Sequence, residues 1–520
     1  MIKKISALNK VLLPVLICII VTVFMSVIIS GCAKSNNDAN NTNNANNTSE
    51  SGTAANSDSG NGATDQSATA ARIDPGLPQE DYNGYEFRVL SRGPSYNVHW
   101  YARDIYAEQE NGDPINDAVY LRNKTVEDKY NIKIANLPEN GDLTARATKS
   151  VKAGDDAFDI MCHGLSQITT LMTGGYLYDL KTFPYINLSQ PWWDQKAVAQ
   201  LTMDNRLFAT VSNYLITDKD ATWIIMFNKQ VKKDYNLGDP YQLVKNGAWT
   251  MDKMLEMMKA VAKDLNGDGV MDDTDQWGLV SEYANVIAFY NGAGEYIAKV
   301  NQSTGNPEIT MFNDRAVGVC DKIIKLQADK QITINANDYL NKYPGDTVWD
   351  KMQLVVFDTN RALFYYSGMN RVTLLRDMAT DFGIIPPPKY DGQQDGYHPY
   401  VDMWCTSSVA IPVTVTDKNR TGIILEALTA ESQYTLLPAY YDISLKTKFA
   451  RDDESQEMLD LIFANRLYDI GEVYNWGGVT DFFNSLNKGA NTISSYRDKN
   501  EAKINAAMEK TVVQFSQIQQ

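Results

Sequence analysis

The sequence predicts an α/β protein with mainly parallel sheets, preceded by an export signal and a polar linker. Three observations carry this reading. The chain has 520 residues, 44% of them hydrophobic and 22% charged, enough for two or three globular lobes. From about Tyr82 onward, short β-rich runs alternate with amphipathic stretches. Before that point the composition is wholly different.

Lys3, Lys4 and Lys10 lead into an apolar stretch, 11–29, that ends in Ser30, Gly31 and Cys32. A basic start, an apolar run and a small-residue finish make an export signal. The Ile-Ser-Gly-Cys ending resembles a lipobox, so residues 1–31 are expected to be removed and Cys32 to become a lipidated N-terminus. More than one acyl chain anchors a protein stably, so the mature chain is expected to be tethered to a membrane. Residues 33–71 contain no Val, Ile, Leu, Met, Phe, Trp or Tyr and ten asparagines. Such a segment has nothing to bury, and 32–71 reads as a flexible leash with a reach of roughly 35 Å.

The body begins with strands at 85–90 (YEFRVL) and 131–137 (NIKIANL), separated by a helix over 118–130. This is one βαβ unit. A short buried strand at 158–162 (FDIMC) precedes a helical stretch that Gly174 and Gly175 stop. Further strands are expected at 207–216 and 222–227, and a helix over 250–263 capped by Thr250. Met251, Met254, Leu255, Met258 and Val261 repeat there at helical spacing, which marks a core-facing stripe. Strands at 353–357, 362–366, 382–385 and 409–413 follow, with a largely helical last hundred residues.

Composition and motifs narrow the function. The formal net charge is −16, without a Lys/Arg-rich run, and such a surface repels phosphate backbones, so nucleic acid is not an expected partner. There is no GxSxG, GxxxxGK[ST], HExxH or GxGxxG after a strand, and the three histidines, His99, His163 and His398, are far apart. No catalytic constellation is written in the chain, although a carboxylate pair could hide among 64 acids. Cys162, Cys320 and Cys405 cannot all pair and read as buried thiols.

One local pattern is specific. Asp264, Asn266, Asp268, the carbonyl of Val270, Asp272 and Asp275 fall at positions 1, 3, 5, 7, 9 and 12 of a loop with Gly269 at position 6. This is EF-hand-like spacing, which brings oxygens round a Ca2+ ion in a structural role. The alternative is an acidic turn that merely stops the preceding helix. Aromatic residues make up 10% of the chain, and its tryptophans sit mostly beside Gly, Pro, Asn or Asp. Sugar rings present C–H faces that stack on such side chains.

Taken together, the lipobox, the leash, FDIMCHG, GGYLYDL, AWTMDKMLEMMKAVAKDLNGDG, DQWGL, DFGIIPPPK and PAYYDISLKTKFARDDES resemble extracellular solute-binding protein family 1 lipoproteins across the whole chain. These are the substrate receptors of ABC importers, mostly for sugars and oligosaccharides, in Gram-positive bacteria especially. The resemblance implies a periplasmic-binding-protein-like fold of type II, with two α/β lobes joined at a hinge. Lobe one would hold 72–212 and 408–448, lobe two 213–407 and 449–520. It further implies a monomer, lipid-anchored outside the cell, that binds its ligand without covalent chemistry and hands it to permease subunits. A peptide or other small solute is the alternative ligand, and a surface glycosidase the rival class. In this fold ligands meet loops at the C-terminal ends of strands, which selects Arg92, His163, Tyr366 and Asn370. Trp223 and Trp404, near the proposed crossings between lobes, and Trp476 complete the expected set.

Overall fold

Inner strands of the two larger sheets bury both of their faces. In the computed structural model, which describes residues 72–345, 347–446 and 453–519, eleven strands form three sheets. The export signal, Cys32 and the linker lie outside the described residues.

The strands are β1 (Tyr85–Arg92), β2 (Ile132–Glu139), β3 (Ile160–Gly164), β4 (Trp223–Asn228), β5 (Trp277–Ser281), β6 (Ala298–Val300), β7 (Pro307–Ile309), β8 (Thr333–Asn335), β9 (Ala362–Gly368), β10 (Phe382–Ile385) and β11 (Ser407–Ala410). The first sheet has the order β11-β3-β1-β2, with β1 parallel to β2 and β3 and with β11 antiparallel at the edge. The second has the order β10-β4-β9-β5-β8 and is evenly mixed. Its β5 runs parallel to β8 and β9, while β4 runs antiparallel to β9 and β10. The expectation of mainly parallel sheets therefore holds for the first sheet only. β4 alone runs against the direction of the other four strands of the second sheet.

The longer helices are α1 (Pro114–Tyr130), α2 (Leu143–Ala153), α3 (Met251–Val261), α4 (Asn285–Gly292), α5 (Asp314–Gln327), α6 (Lys418–Ser432), α7 (Leu436–Lys446), α8 (Asp453–Ala464) and α9 (Ile493–Gln517). α1 starts earlier than its periodicity suggests. The Asp113 side chain accepts from the backbone N–H of Ile115 and Asn116, and Pro114 occupies the first turn, where its missing N–H costs nothing. A cap of this kind contributes about 1 kcal/mol. α3 is capped by Thr250 as expected, and Met251, Met254, Met257, Met258 and Val261 are buried.

Two expected strands are absent. Residues 353–357 (QLVVF) are helical, part of a π-helical turn, Trp349–Gln353, that runs into Leu354–Asp358. Val356 and Phe357 are buried there against Tyr365 and Phe382. Packing on one face thus overrides the β-branched composition. Residues 207–216 form no strand, turn at 213–214, and make single bridges at Thr210 with Val409 and Ser212 with Trp193.

The region from Ala71 onward is one compact unit. Its largest apolar cluster draws Leu90, Met161 and Phe208 from around the first sheet and Ile225, Leu279 and Phe364 from the second. The C-terminal helix closes this core from outside, with Phe515 packed edge-on against Phe208 at 4.9 Å.

Two chain segments pass side by side between the sheets. Trp223 N–H donates to the Tyr400 carbonyl at 2.8 Å, and Asp402 N–H to that of Ala221 at 3.0 Å. Thr222 bridges Val401, and Ser407 N–H donates to Thr217 Oγ1. Beside them lies a buried ionic junction. Arg466 donates to Asp218 at 2.6 Å and also to Asp194, while Lys219 stands 3.0 Å from Asp218. Charges taken out of water persist only when mutually satisfied in this way.

Candidate functional site

A cleft of about 420 Å³ opens where these crossings meet the ends of the two sheets. The loop after β1 supplies Asn97, His99 and Trp100. Trp223 opens β4, Glu282 directly follows β5, Ser367 lies at the end of β9, and Arg371 sits in the short helix after it. Trp349 comes from the π-helical turn, and Asp402, Trp404 and Cys405 from the second crossing. Larger depressions exist, but they lie on outer surfaces, one beside Lys229 and Lys233 and another beside Asp204 and Arg206.

The aromatic walls are held rigidly. Trp100 and Trp223 stack nearly parallel, 12° apart with centroids at 6.2 Å. The Trp223 indole N–H donates to Asn285 Oδ1 at 2.8 Å, and Asn285 in turn donates to Ser281 Oγ and to the Tyr366 carbonyl. Trp404 stacks on Tyr96 and keeps 39% of its surface open. A half-open tryptophan among buried ones is a surface held ready for contact.

The polar groups divide into engaged and open. Asp350 accepts from Arg371 at 3.0 Å and stands 3.3 Å from His99 Nε2. Burial pushes the Asp350 carboxyl up, but His99 and Arg371 outweigh that and hold it below the usual carboxylate range. Among the described residues the Trp349 indole N–H alone bonds the Glu282 carboxylate, at 2.7 Å on Oε2, which leaves Oε1 to the cleft. Burial raises its carboxyl above the ordinary value. Asp402, also raised by burial, accepts from the backbone of Trp404 and Cys405 at 2.8 Å each and so fixes the crossing that carries Trp404.

The residues singled out from the sequence fall into two groups. Trp223 and Trp404 line the cleft. Arg92 instead lies beneath it, 1% exposed, donating to the carbonyls of Trp404 and Cys405 and to Gln167 Oε1. Its guanidinium stands 5.3 Å from the Trp404 ring centroid and 5.5 Å from that of Tyr96, so it supports the platform from below. His163 is buried behind Tyr96, where burial, and next the Arg92 charge, lower its pKa to about 3. Gly164 beside it has to be glycine, because a Cβ there would collide with Arg92 and the Trp404 carbonyl.

Tyr366 and Trp476 are corrections. Every residue of β9 is buried, so Tyr366 points into the core, edge-on to Phe289 at 4.7 Å. Trp476 stacks on Tyr474 and donates to Thr511 Oγ1 at 2.9 Å, inside the packing of α9. Asn370, 9% exposed, heads the short helix that carries Arg371 and does not line the cleft. Trp100, Trp349, Glu282, Arg371 and Asp402 were missed. Glu282 was findable, since it stands at the C-terminal end of a strand, as Arg92 does.

In the acidic loop, Asp264 accepts from the backbone of Gly267 and Gly269, and Asp268 from that of Val270. Asp275 accepts from Leu265 and Asp272, tying the loop's ends together. Gly269 has a φ of 80°, which few other residues adopt. Among the described residues no three acidic, histidine or cysteine side chains converge as a metal site. The loop as folded satisfies its carboxylates from its own backbone, and β5 follows it in place of an exit helix.

Solved structures show the same fold at low identity. An ABC substrate-binding protein of Listeria monocytogenes in complex with cycloalternan matches with a TM-score of 0.53 at 13% identity, covering 82% of this chain and 99% of its own. A sugar transporter of Rhizobium etli in an open conformation matches at 0.52 and 12% identity, covering 84% and 100%. A cyclo/maltodextrin-binding protein complexed with maltotetraose gives 0.51 and 13%, covering 84% and 98%. The architecture is therefore the mixed α/β, periplasmic-binding-protein-like one. No curated protein matches the sequence significantly. The model of the bacterial extracellular solute-binding proteins, however, matches residues 123–457, and the chain belongs to that family.

Proposed function

We propose that this protein captures a saccharide in the cleft between its two sheets and delivers it to an ABC importer. The observation that carries the reading is the cleft itself, with four tryptophans and a few fixed polar groups around about 420 Å³. Stacking faces flanked by oriented hydrogen-bonding groups are what a pyranose requires, and the volume is within the usual range for small-ligand sites. Relatives of this fold bound to cycloalternan and maltotetraose support the same chemistry. Reversible capture involves no covalent step, so the protein acts as a receptor and not as an enzyme. The lobe assignment, 72–212 with 408–448 and 213–407 with 449–520, belongs to the same proposal.

Lipidation at Cys32 would hold this receptor at the outer face of the membrane, within reach of a permease. Its support is the sequence of the export signal. Among the described residues no helix is long and apolar enough to cross a membrane. The acidic loop is proposed to take calcium as a structural ion, supported by donor spacing from Asp264 to Asp275. Binding would have to turn those carboxylates from the loop backbone toward the ion.

A thermal-shift screen of saccharides and peptides tests the main reading. A ligand at 100 times its Kd adds about 2.7 kcal/mol of stability. Stabilisation by saccharides is expected. Stabilisation by peptides alone would reassign the ligand, and turnover of a saccharide by the purified protein would reassign the class.

A further inference from the structure

The charged groups of the cleft are unevenly satisfied. Arg371 and His99 are the basic side chains lining it among the described residues, and both are engaged by Asp350, at 3.0 and 3.3 Å. Arg371 gives Nη1 to that carboxylate, so its charge is already opposed there. Arg92 is sealed beneath the Trp404 platform and committed to carbonyl and amide oxygens. The carboxyls are in the opposite position. Glu282 has one oxygen bonded to the Trp349 indole and the other open to the cleft, and Asp402 lines the same space.

From this asymmetry, and resting on the saccharide reading above, we propose that the cleft selects its ligand by charge. It admits neutral or amino saccharides and refuses uronates and other acidic sugars, with Glu282 as the selecting residue. The physical cause is shared between protein and ligand. Burial raises the Glu282 carboxyl and the charge of Asp402 adds to this, outweighing the Trp349 N–H and the Arg371 charge that oppose it. Surroundings that disfavour one anion disfavour a second, and a ligand carboxylate entering beside Glu282 and Asp402 would find the Arg371 charge already shared with Asp350. A hydroxyl donates to the open Glu282 oxygen without this penalty, and an ammonium gains from both the carboxylate and the tryptophan faces.

The test is calorimetric titration of the purified protein with neutral di- and trisaccharides of the gluco, galacto and manno series. The same sugars oxidised to the uronate at C6 are titrated alongside. Neutral sugars that bind are expected to lose at least tenfold in affinity on oxidation, and the gap should shrink by threefold or more in Glu282→Gln. Equal affinity for neutral and oxidised forms overturns the charge selection while leaving the receptor reading intact. A gap that persists in Glu282→Gln removes the assignment to that residue. Failure of every saccharide to bind overturns both readings. The wild-type comparison decides the selection even if the variant folds poorly.

Discussion

His99, which lines the cleft, meets Asp350, with Nε2 of the imidazole 3.3 Å from a carboxylate oxygen that Arg371 also contacts. His99 belongs to the loop after β1 of the first sheet and Asp350 to the π-helical turn near β9 of the second, so this pair joins elements of the two sheets. π-helical turns are rare and collect at functional positions, and this one aims Trp349 at Glu282 and Asp350 at His99.

Replacing Asp350 with alanine is therefore expected to shift the protein toward an open form without unfolding it. Small-angle scattering should show a larger radius of gyration for the variant, and an unchanged radius would mean that the pair does not hold the cleft. The sign with pH follows from the depressed Asp350 carboxyl. Its contribution is present above the ordinary aspartate pKa and is lost as the pH falls through the lower folded value.

Trp404 and Trp476 separate binding from stability. Trp404→Ala is expected to weaken saccharide binding by about 1 to 3 kcal/mol with little change in melting temperature. Trp476→Ala, which empties a core position, should cost about 3 to 5 kcal/mol of stability and leave the affinity of the folded protein alone. Calorimetry on both variants checks the pair, and the reverse pattern would relocate the site.

Glu426 supplies a pH test far from the cleft. It is 1% exposed and accepts the indole N–H of Trp192 at 2.8 Å and of Trp193 at 3.0 Å. Burial raises its pKa to about 7. Between about 4.5 and 7 the folded state binds the extra proton, so this group's contribution to stability falls as the pH rises through that window. Glu426→Gln should flatten that dependence in chemical denaturation at pH 5 and pH 8. A wild-type slope in the variant would show that another group is responsible.

The acidic loop predicts a calcium response. Millimolar calcium is expected to raise the melting temperature, and chelation to lower it, without abolishing saccharide binding. A melt of Asp268→Ala that matches wild type with and without calcium would leave a self-satisfied turn.

Legibility in the sequence followed periodicity. The βαβ unit at the start and the methionine-striped α3 were plain because side-chain spacing and caps agree there. QLVVF misled because composition speaks for a strand while packing against Tyr365 and Phe382 requires a helix. Trp223 and Trp404 were recognisable by their place at the crossings. Tyr366 was not, since in a strand buried on both faces neither side announces a ligand. Trp476 misled for a different reason: the positive φ of Asn475, Gly477 and Gly478 marks a tight turn, which is not the same as an exposed one. Trp100, Trp349 and Arg371 come from loops and short helices whose meeting depends on the tertiary fold.

The lateness of β11 bears on how the protein is made. The first sheet gains this edge strand only when Ser407–Ala410 has been synthesised, after all five strands of the second sheet. Until then β3 is an unpaired edge, open to association with any other extended chain. A premature stop anywhere before 407 leaves that edge bare for good. Folding delayed until the whole polypeptide has been translocated avoids the exposure, and for an exported chain the order in which its sheets are completed is then no burden.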